Sequence, residues 1–402
     1  MCAVLALNCG SSSLKFQVVE VDDSGRAAAR PARGGVSAFG PQAEVTLQLR
    51  TDPALREKTP VPDHRAAVEL VLDWLAKSAC AVDAVAHRIV HGGPKYAASV
   101  LIDDGVLRDL EAVEALAPLH NAPSVAAVRA ARAALGPAVP MAAVFDTGFH
   151  AGMPAAAREY AIPRDLAWRH GIHRYGFHGT SFRSVLRDYG RLSGRAADAD
   201  RVVALHLGSG CSAAAVDCGR SIDTSMGFTP LEGLIMGTRS GDADPAIVGY
   251  LSRAEGVPVD EVERWLNERS GLRGLGGTHD MRALLDRAAA DPDALLAVES
   301  FCYRARKYVG AYLAAMGGAE ALVFTGAIGE RAPEVRRRIC APLGWLGVEL
   351  DEAENAAAIG VAARLSPDGA RLPVWVIPTD EERVMAEDTA ALLATASGAK
   401  AR

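Results

Sequence analysis

Residues 3–20, AVLALNCGSSSLKFQVVE, and residues 201–218, RVVALHLGSGCSAAAVDC, carry one pattern twice: an apolar strand, a tight loop of Gly with Ser or Asn, and a second strand. A loop of that composition between two β runs turns backbone N–H groups and hydroxyls toward an anion with no Cβ in the way. Two copies about 200 residues apart predict two related domains that face one polyphosphate.

The flanking pattern extends the duplication. After the first strand pair, residues 26–41 are rich in Ala, Gly, Pro and Arg and read as a surface loop, and residues 44–50 alternate in polarity like a third strand. A helix is predicted over 64–78, an apolar strand over 84–90, helices over 104–117 and 124–135, and a strand over 141–145. From Arg201 the order recurs: strand, Gly/Ser loop, strand, and a short third strand near 221–224. Helices over 259–268, 281–290 and 293–316 then alternate with strands at 321–325 and 372–377, before a last helix over 380–394. Mixed strands followed by strand and helix alternation predict an α/β layered fold. The expected domains are 1–150, joined by a C-terminal helix over about 383–398, and 151–382.

Bulk properties narrow the class. A chain of 402 residues has room for two domains whose cores need neither disulfides nor metal. A net charge of −6 argues against a nucleic-acid or membrane-surface binder, since both need a broad basic face. Seven Cys, an odd number with no CxxC pair, argue against a disulfide scaffold or a zinc site. The first residues enter a strand directly, and no apolar run approaches the ~20 residues of a membrane helix. A soluble cytoplasmic protein without nucleic-acid or membrane partners is expected.

The motifs begin with exclusions: the chain has no GxxxxGK[ST], no strand followed by GxGxxG, no HExxH and no GxSxG. Residues 8–15, NCGSSSLK, offer an amide, three hydroxyls, a bare Gly and a cation, the groups a magnesium polyphosphate requires, although a plain polar hairpin would carry them too. Arg88 and His91 close an apolar strand in HRIVHGG, where an Arg suits a structural ion pair as well as a site. Asp146, in AVFDTGFH, ends another such strand, the position at which α/β sheets tend to place ligands. His178, in YGFHGTSF, precedes a helix start. Residues 223–245, DTSMGFTPLEGLIMGTRSGDADP, are too Gly-rich for a helix and too apolar for a linker. They predict a long ordered loop around one cation, Arg239; such loops are usually functional, and a packed Ω-loop is the bland alternative.

Taken together, NCGSSSLKF, HRIVHGG, LHNAP, FDTGFH, YGFHGTS, HLGSG, DTSMGFTPLEGLIMGTRSGD, THDMR, FTGAIGE and PTDEE, in that order from Val4 to about Thr389, resemble the acetate kinase family of the actin-like superfamily. The resemblance implies two duplicated actin-like, ribonuclease H-like domains with a nucleotide cleft between them. It implies reversible transfer of the ATP γ-phosphoryl group to acetate, with acetyl phosphate and ADP as products and a homodimer as the assembly. By motif, Asn8 and Glu381 would hold Mg2+, with Mn2+ as a substitute, and Ser11, Ser13 and Lys15 would cradle phosphates. Arg88 would grip the substrate carboxylate, beside a pocket for its methyl group formed by Val90, Leu119, Phe177 and Pro230. His178 and Arg239 would stabilise the transferring phosphoryl, with His120 nearby. The nucleotide would meet His206, Leu207, Gly208, Ser209 and Gly210, then Asp280, Met281 and Arg282, and then Ala327, Ile328, Gly329, Glu330 and Arg331.

The family casts Asp146 as acid or base. A carboxylate acceptor with a pKa near ~4.3 is already ionised at neutral pH, so we read Asp146 instead as an orienter of Mg2+-bound water or of a neighbouring cation. The chain departs from the family pattern on the nucleotide side. It has HLGSG where HLGNG is usual, AIGER where GIGEN is usual, and Asp380 where Asn is common. Another purine nucleotide or pyrophosphate therefore stays open as donor, and propionate or butyrate as acceptor. A non-catalytic nucleotide-gated protein on the same scaffold would need neither Arg88 nor His178.

Overall fold

The computed structural model describes residues 1–10, 13–114, 118–196 and 198–400, with backbone alone for 118–120 and 397–400. The chain divides into two compact units, Met1–Phe149 with Asp380–Arg402, and His150–Thr379.

In the first unit the strands are β1 (Cys2–Gly10), β2 (Ser13–Val21), β3 (Ala27–Ser37), β4 (Gly40–Leu49), β5 (Leu55–Val61), β6 (Ala84–Ile89), β7 (Val100–Leu101) and β8 (Met141–Phe145). They form one sheet in the order β5-β4-β3-β2-β1-β6-β8-β7. In the second unit β9 (Arg201–Leu207), β10 (Cys211–Asp217), β11 (Arg220–Thr224), β12 (Ala321–Thr325), β13 (Ala363–Arg364) and β14 (Val374–Val376) lie in the order β11-β10-β9-β12-β14-β13. The two sheets share a core topology. β1, β2 and β3 are antiparallel neighbours, with β6 and β8 added parallel beside β1. β9, β10 and β11 repeat that meander, with β12 and β14 added parallel beside β9.

β1 reads as a continuous apolar run because both of its faces are covered. Leu5 and Leu7 pack with Val68, Val71 and Leu75 of the helix His64–Lys77 and with Ala127 and Ala131 of Pro118–Leu135. Val4 and Ala6 pack with Met385 and Ala386 of the C-terminal helix Glu381–Lys400. Asp63 caps the first of these helices, its side chain accepting from the Ala66 N–H. Among the described residues no helix is long and apolar enough to cross a membrane.

Residues 26–41 are not a surface loop: 27–37 are β3, paired on both edges, and Gly40 opens β4. Ala, Gly and Arg have low intrinsic strand preference, so this strand is specified by its neighbours rather than by its own residues. Gly34 shows the fit, since a Cβ there would lie 2.1 Å from the Thr46 carbonyl oxygen and 2.7 Å from the Phe16 ring. β5, LREKTPV, also escaped the pattern reading because it is a charged edge strand containing Pro60.

One buried group gives this unit an acid sensitivity. His87 sits in β6 between Leu7 of β1 and Ala143 of β8, 1% exposed, and its Nε2 has no hydrogen-bond partner among the described residues. Burial pushes its pKa down to about 3. The unfolded chain, with an ordinary His pKa near ~6.5, therefore binds the proton first as pH falls, so stability is lost between about pH 6.5 and 3. His87→Leu should flatten this limb by about 2–3 kcal/mol between pH 6.5 and 4.5 at roughly 1.4 kcal/mol per pH unit. Urea unfolding at pH 7, 5.5 and 4.5 measures it, and parallel wild-type and variant curves would contradict the assignment.

Candidate active site

In the first unit the sheet brings four polar residues to one end of β1, β6 and β8. Asn8 lies near the end of β1, Arg88 near the end of β6, Asp146 directly after β8, and Glu381 at the start of the C-terminal helix. The Arg88 Nε donates to Asp146 Oδ1 at 2.9 Å and Oδ2 at 3.1 Å, and its Nη2 donates to Oδ2 at 2.5 Å. Its Nη1 donates to Asn8 Oδ1 at 3.0 Å and lies 3.5 Å from Glu381 Oε2, to which Asn8 Nδ2 donates at 3.3 Å. Burial opposes the Arg88 charge, and the carboxylates of Asp146 and Glu381 outweigh it, holding the pKa above its ordinary value. Burial also pushes Glu381 up to about 7, Arg88 pulling it down and Asp146 pushing it further up.

Lys15 stands across from Asn8 in the β1–β2 register, and Ser13 across from Gly10. Val90, just beyond β6, is buried. Ser11 and the side chains of Leu119 and His120 lie outside the described residues.

The donor set fits a hard divalent cation. Among the described residues no group of three or more His, Cys, Asp and Glu could cage a metal. Mg2+ uses one or two protein oxygens and completes its shell with water and phosphate oxygens. The Asn8 amide oxygen and the buried Glu381 carboxylate supply such a pair.

In the second unit the chain after β9 turns through Gly208, Ser209 and Gly210 into β10, with the Gly208 N–H donating to the Gly210 carbonyl at 3.1 Å. His178 and Arg239 converge on this turn. A Cβ at Gly210 would stand 3.5 Å from the His178 ring and 3.7 Å from Arg239 Nη1. His178 has φ +60 at the N-cap of the helix Gly179–Ser193, a left-handed conformation that costs a non-Gly residue on the order of 1 kcal/mol and clusters at functional sites. Its Nδ1 is 2.8 Å from Ser212 Oγ, and its ring stacks on His206 with centroids 4.2 Å apart. The His206 Nδ1 is in turn 2.8 Å from Ser181 Oγ. Burial lowers the Arg239 pKa, and its Nη1 donates to the Pro230 carbonyl at 3.3 Å. Phe177, next to His178, is 1% exposed.

The remaining loop residues gather around the same turn. Gly326, φ +76, packs against the Leu207 backbone, where a Cβ would meet the Leu207 oxygen at 2.7 Å, and the Ala327 nitrogen approaches the Gly208 Cβ position at 3.9 Å. Ala327, second in the short helix Gly326–Arg331, has no positive φ, so the missing Gly costs the backbone nothing there. Glu330 Oε1 accepts from the Gly326 and Thr379 N–H groups, whereas the Arg331 guanidinium lies 3.3 Å from the Cβ position of Gly360. The Gly237 N–H donates to the Ser209 carbonyl, and the Gly237 Cβ position is 3.4 Å from His279 Cβ. This contact brings the THDMR segment alongside. Asp280 there is taken up as an N-cap, its Oδ1 accepting from the Arg282 N–H at 3.0 Å, while Met281 is buried.

Several supporting residues were not singled out from the sequence. Arg336, fully buried, donates to the Gly329 carbonyl at 2.8 Å and to Asn355 and Ala358 oxygens, which fixes the 326–331 segment. Arg174 reaches the carbonyls of Thr224, Ser225 and Met226 and pairs with Glu232 at 2.6 Å. Asp242 closes the Arg239 loop, its Oδ1 accepting from the Gly233 N–H at 2.9 Å and Tyr308 donating to both of its oxygens. The only sequence signal for Arg336 was a cation on the apolar stripe of PEVRRRIC.

The duplicated α/β fold, with His178 and Arg239 converging on the Gly208–Gly210 turn, suits a kinase. Comparison with known proteins agrees: the sequence profile of the Acetokinase family matches residues 3–387, and the chain belongs to that family. It is 48% identical to the acetate kinase of Solibacter usitatus, over 96% of this chain and 97% of that one. Its fold is similar to the crystal structure of Porphyromonas gingivalis acetate kinase, with a TM-score of 0.88, 38% identity and coverage of 98% and 100%. It is also similar to a propionate kinase from Francisella tularensis, with a TM-score of 0.89, 37% identity and coverage of 96% and 99%. Both units are of the actin-like type.

Proposed function

We propose that the chain transfers the γ-phosphoryl group of ATP to acetate, giving acetyl phosphate and ADP, and catalyses the reverse reaction. The observation that carries this reading is the convergence of His178 and Arg239 on the Gly210 turn. A phosphoryl group in flight is metaphosphate-like, so catalysis is mostly positioning and cationic stabilisation of its equatorial oxygens. His178, held by Ser212, and Arg239, held by Pro230, supply donors of that kind. The glycine turn and the segment 326–331 offer backbone N–H groups for the donor's phosphates.

Arg88 grips the acceptor carboxylate and is itself oriented by Asp146. The acceptor is already ionised, so Asp146 abstracts no proton. Asn8 and Glu381 would hold Mg2+, which would neutralise charge on the β- and γ-phosphates. Membership of the family, rather than any contact described above, is the ground for expecting a cytoplasmic homodimer. Trapping the product as a hydroxamate with hydroxylamine, across ATP, GTP and pyrophosphate, tests the reaction and its donor together. Absence of hydroxamate with every donor would refute it.

Propionate is the second reading, favoured by the likeness to the Francisella propionate kinase. One methylene is worth only ~1–3 kcal/mol in an apolar pocket, so acetate is preferred and propionate is turned over more weakly. Val90→Ala should shift the kcat/KM ratio toward propionate by about tenfold, within the range one methylene allows. An unchanged ratio would remove Val90 from the pocket.

A further inference from the structure

On the face of the first sheet that the C-terminal helix partly covers, a cavity of about 320 Å3 has a lining that includes Lys15, Arg33, Thr46, Gln48, Arg56 and Glu382. Strand register explains how they meet. Lys15, Gly35, Thr46 and Arg56 form one continuous row across β2, β3, β4 and β5, and Gln17, Arg33 and Gln48 form the next row on the same face. Gly35 contributes no side chain, so the first row is open between Lys15 and Thr46.

Other cations of this unit's strands are matched. Lys58 lies 3.6 Å from Glu44 across the β4–β5 pair, and Arg30 pairs with Asp380. Arg65, Lys77 and Arg129 on the helices likewise have carboxylate partners. Among the described residues Lys15, Arg33 and Arg56 form no ion pair, and one carboxylate, Glu382, stands at the rim. Arg33 is also fixed in place. Its Nε donates to Gln48 Oε1 at 2.7 Å, and Gln48 Nε2 donates to the Asp52 carbonyl at 2.8 Å. A guanidinium anchored through Nε keeps its terminal N–H groups for a bidentate oxyanion. Three cations against Glu382 at the rim, with Glu381 also acting on Lys15, leave a local surplus of positive charge that suits an oxyanion.

We propose that this face is a binding site for a small phosphate-type oxyanion, inorganic phosphate or pyrophosphate, held by Arg33, Arg56 and Lys15. Lys15 belongs to both the cavity and the NCGSSSLK loop. Resting on the kinase reading above, an anion in the cavity draws Lys15 from the nucleotide phosphates and inhibits competitively with nucleotide.

The test is calorimetric titration of the full chain with inorganic phosphate and with pyrophosphate, at ionic strength held constant with KCl. The Arg33→Gln/Arg56→Gln variant should bind both at least tenfold more weakly, with thermal unfolding and nucleotide-saturated turnover unchanged in the absence of added anion. The charge-retaining Arg33→Lys/Arg56→Lys variant should stay within about threefold of wild type. Equal affinity in wild type and the Gln variant would overturn the proposal, because the anion would then sit in the catalytic loops alone. So would a heat signal that KCl of matched ionic strength reproduces. Calorimetry needs no turnover, so a failed phosphoryl-transfer assay leaves this result intact, and a failed titration leaves the kinase reading intact.

Discussion

Arg239→Ala lowers kcat by on the order of 10³, the low end for loss of an arginine that stabilises a transferring phosphoryl group. Arg239 has a pKa lowered by burial, so its charge is held at a desolvation cost. Removing it should therefore leave the thermal midpoint within a few degrees of wild type while turnover collapses. Lys cannot reproduce a planar fork of donors, so Arg239→Lys should recover little of the rate. Hydroxamate formation under saturating acetate and ATP measures both variants. A loss below tenfold for Arg239→Ala would remove the residue from the reacting centre.

Arg88→Met has the second large effect, on stability as well as rate. The Arg88 side chain is 16% exposed and Asp146 1%, and Glu381 is 8% exposed overall, so removal of the guanidinium strands two buried carboxylates. Breaking a buried pair from one side costs about 3–5 kcal/mol. Removing both members of a buried pair is often close to neutral, so Arg88→Met/Asp146→Asn should regain most of that stability. It should not regain activity, because the grip on the acceptor carboxylate is gone. Urea unfolding with parallel turnover assays separates the two. If the double variant remained as unstable as Arg88→Met, Asp146 would not be the partner that Arg88 mainly serves.

Much of this arrangement is legible from residue order. Strand pairs around the NCGSSSLK and HLGSG loops stand out because buried strands are apolar and their turns need bare backbone. The strands 141–145 and 321–325 have the predicted bounds, since a run of five apolar residues in MAAVF and of four before Thr325 in ALVFT, each between clear breaks, leaves few alternatives. Arg88 and Asp146 can be suspected from their positions at strand ends, and β6 and β8 being parallel neighbours puts those ends together. What escapes is whatever depends on partners distant in sequence. β3 is a strand because β2 and β4 flank it, not because AAARPARGGVS favours one. Arg336 looks like one of three surface arginines until the fold encloses it among carbonyls. Ser212, which holds His178, is a small polar residue in a buried strand, and only the β9–β10 register puts it opposite His206.

The first sheet is closed on one face by the helix Glu381–Lys400, whose Met385 and Ala386 cover Val4 and Ala6. During synthesis Met385 and Ala386 must therefore leave the ribosome before the earliest strand can bury its second face. The middle segment, His150–Thr379, is continuous and can fold while the N-terminal strands still wait. Glu381 arrives with that helix, so a nascent chain stalled before residue 381 has Arg88 and Asp146 but not the carboxylate that completes their cluster.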